Sequence, residues 1–110
     1  MKISVYYVDD EPQICEVFEE LFSNSEVSIV TFTDPFLALQ AILQSPPDIL
    51  FTDYRMPGMN GEDLAKKLDP KLKKILITGE NNVITEFKFD AVLPKPLNTK
   101  LIREIISERK

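Results

Sequence analysis

Five short apolar runs alternate with stretches of helical periodicity, and this alternation constrains the chain more than any other feature. Ile3 to Val8 is an apolar run ending in Asp9-Asp10, as expected for a buried parallel strand. Pro12 stands where a helix can begin, because the N–H it lacks would be unpaired there anyway. Ile14, Val17, Phe18, Leu21 and Phe22 follow at helical spacing, with Asn24 as the stop. Val27 to Phe32 reads as a second strand. Asp34-Pro35 opens a second helix carrying Leu39, Ile42 and Leu43, which Pro46-Pro47 ends. Ile49 to Thr52 is a third strand, closing on Asp53. The loop Tyr54 to Met59 leads to Asn60, a good N-cap, and to a short helix with Leu64, Ala65 and Leu68. Lys74 to Thr78 is the fourth strand and Ala91 to Leu93 the fifth, with a short helix expected between Glu80 and Asp90 from a weak signal. Asn98 caps a last helix whose inner face is Leu101, Ile102, Ile105 and Ile106.

Such alternation implies a parallel sheet with helices on both faces, joined by right-handed crossovers. In these sheets ligands bind beyond the carboxyl ends of the strands, where the strand order switches direction. Chemistry is therefore to be sought in the residues just after strands.

The 110 residues fit one domain with one core, over 1–110, without repeats or linkers. A 44% hydrophobic and 28% charged composition is that of an ordinary globular protein. No run reaches the ~18 apolar residues of a membrane span, and the first residues lack a signal-peptide core, so a cytoplasmic location is expected. A net charge of -5 argues against a nucleic-acid binder, which would carry a basic stripe. Cys15 lies in an apolar-periodic stretch and reads as a small core residue rather than a reactive thiol. The absence of histidine excludes Ser-His and Cys-His nucleophiles. Any metal site must then be built from oxygen, which favours Mg²⁺ over zinc.

Four strands end in residues with chemistry: Asp9-Asp10, Asp53, Thr78 and, one step past the last, Lys95. Singly, each has a bland explanation as a helix cap, a turn, a loop hydroxyl or a solvated charge. Jointly they do not, because three carboxylates converging on one sheet edge repel one another unless a cation sits among them. Mg²⁺ accepts one or two carboxylates and keeps waters that a phosphoryl oxygen can replace. With a lysine and a hydroxyl added, the set meets the needs of phosphoryl transfer to a carboxylate nucleophile.

Val8-Asp9-Asp10-Glu11, the segment Asp53-Tyr54-Arg55-Met56-Pro57-Gly58-Met59-Asn60-Gly61, Ile77-Thr78-Gly79 and Leu93-Pro94-Lys95-Pro96 together resemble the receiver domains of two-component response regulators. The resemblance runs in order along essentially the whole chain. It implies a flavodoxin-like, doubly wound (βα)5 fold of order 2-1-3-4-5, here with a shortened fourth helix. It makes Asp53 the phosphoacceptor, Asp10 the direct Mg²⁺ ligand, Asp9 a ligand through water and the Arg55 backbone carbonyl a third protein ligand. Thr78 would bond a phosphoryl oxygen, Lys95 would pair with the phosphoryl group, and Lys95-Pro96 would be cis. The implied partners are a sensor histidine kinase or histidine phosphotransfer protein and a downstream protein or fused output domain, with no direct nucleic-acid or membrane contact. A degenerate receiver, acting as an unphosphorylated interaction module, is the main alternative. A small aspartyl-phosphate hydrolase would need an acid–base residue and a cap domain that the sequence does not supply.

The chain departs from the family where the signal would be read out. Receivers usually carry Tyr or Phe three residues before the lysine, and here that position is Val92. Lys88-Phe89 stands where Gly-Ala is common, and the intervals from Asp53 to Thr78 and from Thr78 to Lys95 are several residues short. Phe89 is the residue expected to fill the space behind Thr78, leaving the loop from Gly79 to Asn82 to carry the movement. Arg55 and Glu80, two residues after Asp53 and Thr78, read either as a pair across the site mouth or as two independent solvated charges.

Overall fold

A computed structural model of the chain describes residues 2–81 and 83–109. The strands are β1 (Ile3–Val8), β2 (Val27–Phe32), β3 (Ile49–Thr52), β4 (Lys73–Thr78) and β5 (Ala91–Pro94). They form one all-parallel sheet in the order β2-β1-β3-β4-β5. All of β3 and all but the first residue of β4 are buried, whereas β2 and β5 are half open. That difference explains why the inner strands read as nearly unbroken apolar runs: both their faces are covered.

Each helix starts where the sequence marks a start. α1 (Pro12–Phe22) and α2 (Pro35–Gln44) open on proline, and the Asp34 side chain accepts a bond from the Phe36 amide. α3 (Gly61–Lys66) is fixed by a capping box between Asn60 and Asp63. In α4 (Thr99–Ser107) the Asn98 side chain accepts from the Leu101 amide. α1 ends at Phe22, two residues before the expected stop. Asn24 instead turns the chain into β2 by accepting from the Glu26 and Val27 amides.

Cys15, Phe18 and Phe22 of α1 and Ile102 and Ile106 of α4 pack on one face of the sheet, against Val5, Tyr7, Phe51, Ile75 and Ile77. On the other face, Ala38 and Ile42 of α2 and Leu64 of α3 pack with Val8 and Leu50. Cys15 is buried, as a core residue should be. Leu101, expected on the inner face of the last helix, is exposed, as are Val17, Leu21 and Leu43. A short helix lying on a sheet buries a narrow stripe, and the residues on its flanks stay in water.

The shortened fourth helix is not formed. Among the described residues between Glu80 and Asp90 no helical turn occurs, and Asn82 lies outside them. The segment runs as an irregular strap whose Phe87 and Phe89 rings meet edge to face at 5.0 Å. Phe89 is buried with Ala65 and Leu76. The Phe87 amide donates to the Glu62 carboxylate at 2.7 Å, tying the strap to α3. Lys74, expected only as a strand residue, is buried beneath it. Its ammonium donates to the carbonyls of Asp69 and Leu72 and lies 5.5 Å from the centre of the Phe87 ring.

Candidate functional site

Backbone bonds carry the ladder one residue past the strands that matter. The Asp9 amide donates to Phe32, the Asp53 amide to Val8 and the Lys95 amide to Thr78. The residues beyond β1, β3 and β5 are therefore held as firmly as strand residues, at the edge where β1 parts β2 from β3 and the strand order reverses. α3 closes this edge from the side. Its Gly61 amide donates to the Tyr54 carbonyl at 2.7 Å, and a side chain at Gly61 would collide with the Asp53 carbonyl oxygen. The loop before it turns at Gly58, whose φ of 82° favours glycine.

At this edge one carboxylate oxygen from each of Asp9, Asp10 and Asp53 lies within 4.8 Å of the others. The Lys95 ammonium reaches Asp9 at 2.9 Å, Asp53 at 3.3 Å and Glu11 at 3.5 Å. It is thus a fixed, largely buried charge. The peptide that follows it, Lys95-Pro96, is cis as expected. Asp9 is fully buried and accepts from the Tyr7 hydroxyl, the Glu11 amide and Lys95. The Asp10 carboxylate has no hydrogen-bond or ion-pair partner among the described residues. It lines one open cleft with Tyr54, Arg55, Met56 and Asn60, which places the Arg55 backbone on the same cleft. Thr78 is buried, and its hydroxyl oxygen accepts from the Glu80 amide at 3.1 Å. The Glu80 side chain pairs with Arg55, bridging the loops after β3 and β4. The reading as two independent solvated charges therefore does not hold.

Four carboxylates around one lysine leave a surplus of negative charge. Burial, and then repulsion from Asp9, raise the pKa of Asp53 above the ordinary carboxylate value, although Lys95 and the Tyr54 amide pull it down. Burial works against the charge on Lys95, but its bonds to Asp9 and Asp53 outweigh that, so its pKa is raised. Burial also pushes the Cys15 thiol up to about 11, which keeps it in the inert thiol form.

The family model for the response regulator receiver domain matches residues 5–107. The chain belongs to this family. It is similar to the DNA-binding transcriptional regulator NtrC of Escherichia coli, with 31% identity over 102 residues. That match takes in 86% of this chain and 22% of the relative, so the receiver spans about a fifth of that protein's length. Among solved structures, a CheY-like receiver domain from Methylobacillus flagellatus superposes with a TM-score of 0.87 at 22% identity, covering 100% of both chains. The response regulator TrrA from Thermotoga maritima, solved in complex with Mg²⁺-BeF, superposes with a TM-score of 0.85 at 26% identity, covering 98% of each chain. The fold and the two-component family are thus those implied by the strand-end residues.

Within this receiver every site residue named from the sequence reaches one edge, with Asp9, Asp10, Asp53 and Lys95 in a single cluster and Arg55 and Thr78 beside it. Tyr7 was not among them. Strand alternation marks it as an inward residue of β1 and says nothing of its hydroxyl reaching Asp9.

Proposed function

We propose that this receiver is a phosphorylation switch whose acceptor is Asp53. A carboxylate oxygen of Asp53 bonds to the phosphorus of a phosphohistidine. The P–N bond breaks, and its electron pair returns to the imidazole of a sensor histidine kinase or histidine phosphotransfer protein. The observation that carries this reading is the cluster itself: a buried carboxylate in contact with a lysine, beside two more carboxylates on an open cleft.

Three carboxylate oxygens within one coordination sphere's reach form a hard donor set that suits Mg²⁺. Asp10 and Asp53, with the Arg55 carbonyl, would hold it, and Asp9 would act through water. When bound, Mg²⁺ neutralises charge on the transferring phosphoryl group. The likeness to TrrA, solved with Mg²⁺-BeF, supports this assignment. The chain's own residues do the rest. Lys95 supplies a fixed cation for the phosphoryl oxygens. Thr78 turns its hydroxyl hydrogen to the same group while its oxygen keeps the Glu80 amide. The Arg55–Glu80 pair stands over the mouth and hinders an attacking water. Movement of Thr78 and Glu80 then alters the surface offered to a downstream protein or fused output domain, in the cytoplasm.

Mass spectrometry of the domain incubated with acetyl phosphate tests the assignment. Phosphoryl addition is expected with Mg²⁺, and none with EDTA or in Asp53→Asn. Equal labelling of Asp53→Asn would remove Asp53 from its role. A folded wild-type domain that takes no label from acetyl phosphate or a phosphohistidine donor would be an interaction module instead.

A further inference from the structure

Distance alone does not decide which carboxylates of the cluster meet a cation. Asp9, Asp10 and Asp53 all place an oxygen within 4.8 Å of the others, so Asp9 is as near as its neighbours. What differs is how far their lone pairs are already used. The Asp9 Oδ2 atom accepts from the Tyr7 hydroxyl at 2.7 Å and from Lys95 Nζ at 2.9 Å, and Oδ1 accepts from the Glu11 amide at 3.0 Å. A carboxylate oxygen offers about two acceptor positions, so Oδ2 is full. Asp53 receives its Lys95 contact and the Tyr54 amide, and Asp10 has no partner among the described residues.

Of the three donors on Asp9, Lys95 belongs to the transfer chemistry and the Glu11 amide belongs to the turn. Tyr7 belongs to neither. Its ring lies flat on Phe18, with centroids 4.2 Å apart and planes 5° from parallel, and Phe18 in turn packs on Phe51 at 5.3 Å. The ring is fully buried and cannot swing away, so its hydroxyl stays aimed at Oδ2.

We infer that Tyr7 is a positioning residue that keeps Asp9 out of the inner sphere of the cation, through the hydrogen bond it donates to Oδ2. This rests on the Mg²⁺ reading above and adds a selectivity to it. Mg²⁺ holds a tight octahedron, keeps its waters and needs only one or two carboxylates, whereas Ca²⁺ takes six to eight oxygens and gains from each further carboxylate. Occupying Oδ2 of Asp9 from behind leaves Ca²⁺ at most the one open position on Oδ1 from its third carboxylate, and costs Mg²⁺ little.

Tyr7→Phe removes only the hydroxyl and leaves the ring on Phe18. Free Mn²⁺ counted by its EPR signal, and displaced by Mg²⁺ or Ca²⁺, gives both affinities without tyrosine fluorescence. Tyr7→Phe is expected to change Mg²⁺ affinity by no more than about twofold and to strengthen Ca²⁺ binding at least about fivefold. Tyr7→Leu, which also lacks the hydroxyl, should shift the ratio the same way, and its melting temperature at graded Mg²⁺ and Ca²⁺ reads the ratio if the free variant is unstable. The gain should vanish when Asp9→Asn is added to Tyr7→Phe. An unchanged Ca²⁺-to-Mg²⁺ ratio in both Tyr7 variants, or a gain that survives Asp9→Asn, overturns the inference while the Mg²⁺ site stands. A wild-type domain that binds no Mg²⁺ overturns the reading beneath it as well.

Discussion

Burial and the neighbouring Asp9 carboxylate hold the pKa of Asp53 above its ordinary value, so the folded chain binds a proton there more readily than the unfolded one. Stability from this group is full below the unfolded pKa and is lost as pH rises through the folded pKa. At neutral pH the ionised Asp53 is therefore a net cost in the metal-free domain. Asp53→Asn should melt higher than wild type in EDTA at pH 7, where ~1 kcal/mol corresponds to roughly 4–8 °C for a small domain. The gap should narrow as pH falls through the Asp53 titration, and narrow again when Mg²⁺ stabilises the wild type. Calorimetry at pH 7 and pH 4 decides it: a variant no more stable than wild type at pH 7 would mean that Lys95 already offsets the charge. Residue chemistry of this kind was legible because strand-end positions drew attention to Asp9, Asp10, Asp53, Thr78 and Lys95. Lys74 and Tyr7 were not, since nothing in a sequence tells a buried lysine with carbonyl partners from a surface one, or a core tyrosine from one bonded to a carboxylate.

At the scale of elements, the strap between Glu80 and Asp90 is where sequence and structure part. The helix expected there rested on a weak signal in the residues. Phe87 and Phe89 sit two apart with Lys88 between them, a spacing that turns both rings toward the sheet in an extended segment and divides them around a helix. Three different anchors hold the strap: the Phe89 ring on Ala65 and Leu76, the Phe87 amide on Glu62, and the Lys74 ammonium under the Phe87 ring. Phe89 is thus a buried core residue, packed on Ala65 and Leu76. Truncating it leaves a cavity between Ala65 of α3 and Leu76 of β4, both of them fully packed in place. Phe89→Ala should lose roughly 3–5 kcal/mol, read by urea denaturation. Acetyl phosphate should still label Asp53 in the fraction that stays folded. A loss below ~1 kcal/mol would show a ring loosely held, and would reopen it as a moving part.

Across the whole molecule, the route by which a phosphoryl group on Asp53 reaches the surface follows from what is fixed and what is linked. The sheet face behind Asp53 is closed by the Tyr7–Phe18–Phe51 stack, and Gly61 pins α3 against the Asp53 backbone, so neither can move far. Val92, where the family usually has an aromatic, is exposed on the edge strand and has no polar tip to follow the phosphoryl group. Phe89, an anchor of the strap, is buried against Ala65 and Leu76. What remains is Thr78, whose hydroxyl oxygen holds the Glu80 amide, and Glu80, whose carboxylate holds Arg55 on the opposite loop. A Thr78 drawn toward Asp53 must carry Glu80 with it and shift or break the Arg55 contact. That pair is well exposed and contributes little to stability, so it yields easily. With Mg²⁺ and beryllofluoride, hydrogen exchange should therefore slow at the amides of Gly79, Glu80 and the loop from Tyr54 to Asn60. The amides of Phe87, Phe89 and Val92 should keep their rates. Arg55→Ala should leave the slowing at Glu80 in place and reduce it at Met56 and Gly58, where what remains is the ordering by Mg²⁺ on the Arg55 backbone carbonyl. The opposite pattern, in which Val92 and Phe89 respond while Glu80 does not, would send the signal through β5 and make the strap the moving part.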